Sequence, residues 1–148
     1  MSGKGGAELD TAAIDGIIGY RLRRAQLQVF SSFIERFGEV ELTPAEFAVL
    51  VLIADNPGRT QSTIAAALGI KRANLVALIE GLAQRDLIDR RRPAHDRRAH
   101  ALHLTPAGGK LVDRIRALQL DFEAEIVARL GGEEARETLM RLLKRIAE

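Results

Sequence analysis

The sequence predicts a mainly α-helical chain carrying one small β-hairpin, and three observations predict it. Between Thr60 and Arg85 two short amphipathic segments are divided at Leu68-Gly69-Ile70. From Leu87 to Leu104 two short runs flank an arginine-rich loop. On either side, long apolar stripes recur at helical spacing. The order helix, tight turn, helix, strand, charged loop, strand is that of a winged helix-turn-helix. The expected whole has six helices. Residues 1–10 form a disordered tail, 11–40 and 106–148 form helical flanks, and 41–105 form the winged module.

Met1 to Gly6 is glycine-rich, which places the tail. From about Thr11 to Phe37 the spacing predicts one long helix. Ile14, Ile18, Leu22, Ala25, Val29 and Phe33 make one stripe, and Ile17, Tyr20, Leu27, Phe30, Ile34 and Phe37 widen it. A helix apolar on several sides touches more than one neighbour. It is either a central core helix or a contact with a second subunit. Arg21, Arg23 and Arg24 interrupt it, either on a solvated face or, near Tyr20, beside an anionic ligand. Gly38 and the segment Glu39-Val40-Glu41 end it. Thr43-Pro44-Ala45-Glu46 starts the next helix, with Thr43 as N-cap, Pro44 in the first helical position and Glu46 closing a capping box. Phe47, Leu50, Val51 and Ala54 carry it to the turn Asp55-Asn56-Pro57-Gly58.

Thr60 then caps a helix whose apolar positions are Ile64, Ala65 and Leu68, and Gly69 supplies the left-handed backbone of the turn. The second helix of the pair spans roughly Lys71 to Arg85. Leu75, Leu78, Ile79 and Leu82 fall at i, i+3, i+4, i+7 and are expected to be buried. The opposite side carries Ala73, Asn74, Ala77 and Glu80, with Val76 at its edge and Lys71 and Arg72 at its start. Leu87 and Ile88 begin a strand that runs into Arg90, Arg91 and Arg92. Pro93 to Arg98 form a loop, and His100 to Leu104 return, with Leu102 and Leu104 on one face. Arg59 is expected to add a short edge to this hairpin. So many arginines in one hairpin repel one another unless an anion lies beside them. Directly after a helix-turn-helix, that anion is expected to be DNA phosphate.

Thr105-Pro106 starts another helix, with Leu111, Ile115, Leu118, Phe122 and Ile126 on one stripe to about Leu130. Gly131-Gly132 breaks it. A last helix carries Ala135, Leu139, Leu142, Leu143 and Ile146.

Composition narrows the function classes. At 148 residues the chain is long enough for one domain with a real core. There are no cysteines, which excludes disulfides, thiolate metal sites, cysteine nucleophiles and thiol redox sensing. No apolar run approaches a membrane span and no secretory pattern opens the chain, so a cytoplasmic protein without a membrane partner is expected. The net charge of +2 hides an uneven distribution. Residues 57–105 hold 9 basic and 4 acidic side chains, whereas residues 1–56 hold 5 and 8. The positive charge is concentrated in the winged module, as a nucleic-acid surface requires.

At this point the residues resemble a known family. Leu68-Gly69-Ile70, Arg85-Asp86-Leu87-Ile88, Asp96-Arg97-Arg98 and Leu104-Thr105-Pro106-Ala107-Gly108-Gly109 together look like the MarR family of bacterial transcriptional regulators, from about Ile14 to Ile146. The resemblance implies a homodimer held by the N- and C-terminal helices, bound to a pseudo-palindromic operator in double-stranded DNA, most often as a repressor. It implies DNA contacts from the start of the first short helix (Thr60, Gln61, Ser62), from the recognition helix (Lys71, Arg72, Ala73, Asn74, Val76, Ala77) and from the wing. In the wing, Asp96 orients Arg98 into the minor groove, and Arg97 meets phosphate or solvent. Asn74 suits a bidentate pair with adenine, and Ala73, Val76 and Ala77 suit thymine methyls. Many family members carry arginine where this chain has Ala77, so shape read by the wing counts for more here. The resemblance also implies a small-molecule effector, an aromatic acid or its coenzyme A thioester. Tyr20, Arg21, Arg24 and Phe47 are candidates to line its pocket.

Other readings fit less of the sequence. A metal-responsive regulator of the same fold would draw on His95, His100 and His103, yet His100 and His103 are expected on opposite faces of a strand and His95 in the wing, with no clustered carboxylates. A DNA-binding protein with no effector would need only the winged module. No cofactor motif is present. There is no glycine-rich nucleotide loop and no nucleophile in motif context, so an enzyme is not expected.

Overall fold

The computed structural model describes residues 9–92 and 100–148. The wing residues His95, Asp96, Arg97 and Arg98 and most of the N-terminal tail lie outside them.

Helices α1 (Ala12–Asp15), α2 (Ile18–Phe37), α3 (Pro44–Asp55), α4 (Gln61–Leu68) and α5 (Arg72–Gln84) lead into strands β1 (Ile88–Arg91) and β2 (Ala101–Leu104), followed by α6 (Pro106–Leu130) and α7 (Glu133–Ala147). A 3-10 turn, Gly38–Val40, links α2 to α3. The described residues therefore hold seven α-helices, because the first expected helix is divided at Gly16 and Ile17. The Arg21 Nε donates to the Asp15 carbonyl at 2.6 Å. Ile17 is extended, at φ −86° and ψ 120°. A side chain thus takes the carbonyl that a continuous helix would use, beside two poor helix formers, Gly16 and Gly19.

The hub is α3, which touches α2, α4, α5, β2 and α6. From Phe47 to Ala54 its sequence is wholly apolar, and every residue of that stretch is buried or half-buried. Val49, Leu50 and Ile53 are fully buried. Its start is the capping box read from sequence. The Glu46 amide donates to the Thr43 hydroxyl at 3.2 Å, and the Thr43 amide donates back to the Glu46 carboxylate at 2.8 Å. Against α3 lie Phe33 and Phe37 of α2, stacked at 4.0 Å, with Phe47 and Phe122 edge-on to both. Leu75, Ile79 and Leu82 of α5, Leu102 of β2 and Ile115 of α6 complete the core. Truncating one such leucine to alanine typically costs ~2–5 kcal/mol.

The long α2 is not the centre. It buries only Phe33 and Phe37, while Ile17, Ile18, Leu27, Phe30 and Ile34 stay exposed. On α7, Met140, Leu142 and Ile146 are likewise exposed.

The strands pair antiparallel in the register Ile88↔Leu104, Asp89↔His103, Arg90↔Leu102 and Arg91↔Ala101. The expected edge from Arg59 is present and short. Gly58 donates to the Leu102 carbonyl at 2.8 Å, Leu102 donates to the Arg59 carbonyl at 2.9 Å, and Thr60 bridges to Ala101. No single helix among the described residues is long and apolar enough to cross a membrane.

Candidate nucleic-acid interface

The chain bends by 114° between α4 and α5, within the range of helix-turn-helix units. Gly69 makes the bend at φ +64°, where a side chain would be strained. The bend leaves the buried stripe of α5 against α3 and turns the other stripe outward. Lys71, Arg72, Ala73, Asn74, Val76 and Ala77 are all exposed, and Val76 presents 40% of its surface. No side chain among the described residues caps the start of α5. Its first amides are left without a side-chain partner beside two exposed cations, Lys71 and Arg72, a combination that suits a phosphate oxygen.

At the start of α4, Thr60 is occupied as the cap. Its hydroxyl accepts from the Thr63 amide at 3.3 Å and lies 3.0 Å from the Thr63 hydroxyl. Gln61 is half-buried and Ser62 exposed. Thr60 precedes α4 and Gln61 and Ser62 begin it, and α4 packs against α5.

The hairpin is fastened to its surroundings by contacts that periodicity does not reveal. The Thr105 amide donates to the Leu87 carbonyl at 3.1 Å, and its hydroxyl donates to the Asp86 carbonyl at 2.6 Å. The same hydroxyl accepts from the Gly108 amide at 3.0 Å, capping α6. A β-carbon on Gly108 would lie 2.1 Å from the Leu87 carbonyl oxygen. The residue pattern Leu104-Thr105-Pro106 signalled the cap, but nothing local signalled the close approach. Arg85 clamps the far side, donating to the carbonyls of Glu41 and Val40 at 2.9 and 3.2 Å.

Arg91 pairs with Asp89 at 2.9 Å and remains largely exposed. Arg90 instead reaches Glu80 of α5 at 2.5 Å. The Arg90 hydrogen bond, and after it the Arg90 charge, hold the Glu80 carboxyl below the usual carboxylate range. Helical spacing places Glu80 on the outer side of α5 but does not reveal its partner. The available signal was a basic strand directly after the helix.

The effector candidates are spread out. Phe47 is half-buried in the phenylalanine cluster at the C-terminal end of α2. Tyr20 lies 13 residues before Phe33 on the same helix, about 20 Å away at helical rise. Arg21 pairs with Asp15 at 3.4 Å, and Arg24 is exposed. The single chain therefore groups Tyr20, Arg21 and Arg24 and leaves Phe47 apart. Two clefts lie near these elements. One of about 590 Å³ runs between α2 and α7, lined by Leu22, Arg23, Gln26, Val29, Phe30, Leu139 and Leu143 among others. Another of about 450 Å³ lies behind the hairpin, where Arg91 and His103 meet Pro57, Asp113 and Arg116. Among the described residues no three histidines or carboxylates gather in a metal-binding group.

A sharply bent helix pair with an exposed second helix and a basic hairpin defines a winged helix-turn-helix of the DNA-binding class. A model of the MarR family matches residues 41–99. A putative transcriptional regulatory protein for the hcr operon of Thauera aromatica is 36% identical over 141 residues, covering 95% of this chain and 84% of that protein. Among solved structures, the transcriptional repressor CouR bound to a 23-mer DNA duplex superposes with a TM-score of 0.89 at 40% identity, covering 96% of this chain and all of that one. CouR bound to p-coumaroyl-CoA superposes with a TM-score of 0.87 at 39% identity over 95% and 99% of the two chains. The chain belongs to the MarR family of transcriptional regulators.

Proposed function

We propose that this protein is a homodimeric repressor that binds a pseudo-palindromic operator and is released by an aromatic effector. The carrying observation is the outward stripe of α5. Small and apolar side chains suited to base edges are exposed there, behind an uncapped, cationic helix start. Phosphate contacts from Lys71, Arg72 and the wing supply most of the affinity, and Asn74, Val76 and the two alanines supply direct readout. Two such helices about a two-fold axis meet half-sites about 10 bp apart. The apolar faces of α2 and α7 form the dimer contact. Such a protein works in the cytoplasm.

The effector class follows from the likeness to CouR, a repressor whose structures include complexes with DNA and with p-coumaroyl-CoA. Tyr20, Arg21 and Arg24 stand on the helix that borders the dimer contact, where guanidinium groups suit a carboxylate or the phosphates of a thioester. Phe47 belongs to the phenylalanine cluster at the other end of α2 and has no place in that pocket within one chain. An effector acts only by favouring one spacing of the two recognition helices over another.

The test is a duplex selected from a random pool by the protein and then titrated with p-coumaroyl-CoA, p-coumarate and coenzyme A. Release by the thioester, or by the acid, supports the reading and assigns the class. Selection of no duplex defeats DNA binding, and binding that none of the three weakens defeats the effector reading.

A further inference from the structure

The pair between Glu80 and Arg90 stands where the recognition helix meets the wing. On α5, Ala73, Val76, Ala77 and Glu80 fall at i, i+3, i+4 and i+7, so Glu80 ends the outward stripe. A carboxylate in that place opposes DNA binding, because the whole stripe approaches a polyanion. Yet it is bridged at 2.5 Å by a guanidinium from another element. Arg90 is not a mobile surface cation. Its strand partner is the fully buried Leu102, and its side chain is 31% exposed. The side chain therefore reaches from β1 to α5 with most of its surface covered, as a long cationic side chain can. Its neighbour Arg91 pairs on the other face of the hairpin, with Asp89.

We propose that Glu80 is a positioning residue for DNA binding: it holds the Arg90 guanidinium at the seam between recognition helix and wing, where that group takes a backbone phosphate at the edge of the major groove. A guanidinium has five donors in a planar fork, so it serves a carboxylate on one edge and a phosphate on another. The bridge also ties the hairpin to α5, so that the two groove-reading elements keep one spacing. This inference rests on the DNA-binding reading above.

The sign of one substitution separates it from simple electrostatics. Glu80→Ala raises the positive charge of the DNA-facing surface, so charge alone predicts tighter binding. Positioning predicts weaker binding. Affinity for the pool-selected duplex, measured by fluorescence anisotropy across a salt series, is expected to fall about 3–10-fold in Glu80→Ala, the effect of a lost charge-assisted contact. Glu80→Gln should recover part of it, since an amide oxygen still accepts from the guanidinium. Arg90→Ala should reduce the steepness of the log-affinity against log-salt plot by about 0.9 for each protomer bound. The double variant should bind no more weakly than Arg90→Ala alone, because without Arg90 nothing remains to position. Circular dichroism checks that each variant is folded. Glu80→Ala binding as tightly as the wild type, or more tightly, overturns the proposal, as does an unchanged salt slope in Arg90→Ala. A wild-type protein that binds no duplex overturns this inference and the DNA-binding reading together.

Discussion

Arg90 and Arg98 lie eight residues apart in the sequence and have different expected duties. Arg90 is anchored along β1 and shares its charge with Glu80. Arg98 matches the family's wing arginine, and the role expected for it is insertion into the minor groove, oriented by Asp96. A guanidinium is planar, permanently charged and weakly hydrated, which suits a narrow electronegative groove. Arg98→Ala should therefore weaken operator binding by about 1–3 kcal/mol. Arg98→Lys should recover little, and Asp96→Ala should give a smaller loss, all read by anisotropy at fixed salt. Wild-type affinity in Arg98→Ala with a loss in Arg97→Ala would show that the register of the wing is shifted by one. For Glu80 the observable is its own titration. Its carboxyl is depressed by Arg90, so the contribution of the pair is fully present above the ordinary glutamate pKa and is lost as pH falls through the lower folded value. Carbon-detected NMR should find the Glu80 midpoint below that of the same residue in the Arg90→Ala protein. Equal midpoints would mean that the pair does not persist in solution. The outward residues of α5 were legible one by one from their spacing. Their ion-pair partner was not, because a contact across two elements leaves no periodic trace.

The elements show a sharper division between what spacing predicts and what it misses. Capping chemistry is local, so Thr43, Thr60 and Thr105 were legible as helix starts, and each accepts the expected backbone hydrogen bond. The break between α1 and α2 was not legible. It depends on the Arg21 side chain folding back onto the Asp15 carbonyl against a continuing apolar stripe. The junction of β1 with α6 is the other such case. Gly108 and Gly109 are adjacent in sequence and unequal in space. A β-carbon at Gly108 meets the Leu87 carbonyl oxygen at 2.1 Å, while one at Gly109 meets nothing within 4 Å. Gly108→Ala should thus lower stability by ~1–3 kcal/mol through overpacking against backbone that cannot yield. Gly109→Ala should be neutral or stabilising by up to ~1 kcal/mol, since alanine is the better helix former. Denaturant midpoints of the two variants check this. Equal midpoints would mean that the start of α6 moves away from Leu87 without cost. Because Thr105 fastens the same junction, a destabilised Gly108→Ala protein should also show faster amide exchange at Leu87 and Thr105 than Gly109→Ala.

At the scale of the whole molecule, the described chain has a well-filled centre and unfilled flanks. The core runs from Phe33 and Phe37 through α3 to Leu75, Leu102 and Ile115. The spacing of its apolar residues fits α2 either at the centre or at a subunit contact. With α3 as the hub, Ile17 at the start of α2 and Ile18, Leu27, Phe30 and Ile34 on it are exposed and not consumed by the chain's own core. On α7 no residue is buried, and Leu142 and Ile146 are 46% and 60% exposed. Apolar surface on this scale is characteristic of an interaction site and unusual for a monomer. A second copy is the expected occupant, because α2 and α7 both line the cleft at Leu139 and Leu143 and a two-fold axis beside it would cover both faces at once. Leu142→Glu combined with Ile146→Glu places two carboxylates one helical turn apart on the exposed side of α7. Neither side chain supports the described core, so the winged module should stay folded while the dimer separates. Multi-angle light scattering at micromolar concentration should find a dimer for the wild type and a monomer for the double variant. Circular dichroism should show retained helix. Operator affinity should collapse, since a lone half-site loses the second recognition helix and its tether. A double variant that stays dimeric would place the interface elsewhere on the molecule. One that becomes monomeric yet binds DNA as tightly as before would show that a single winged module carries the affinity.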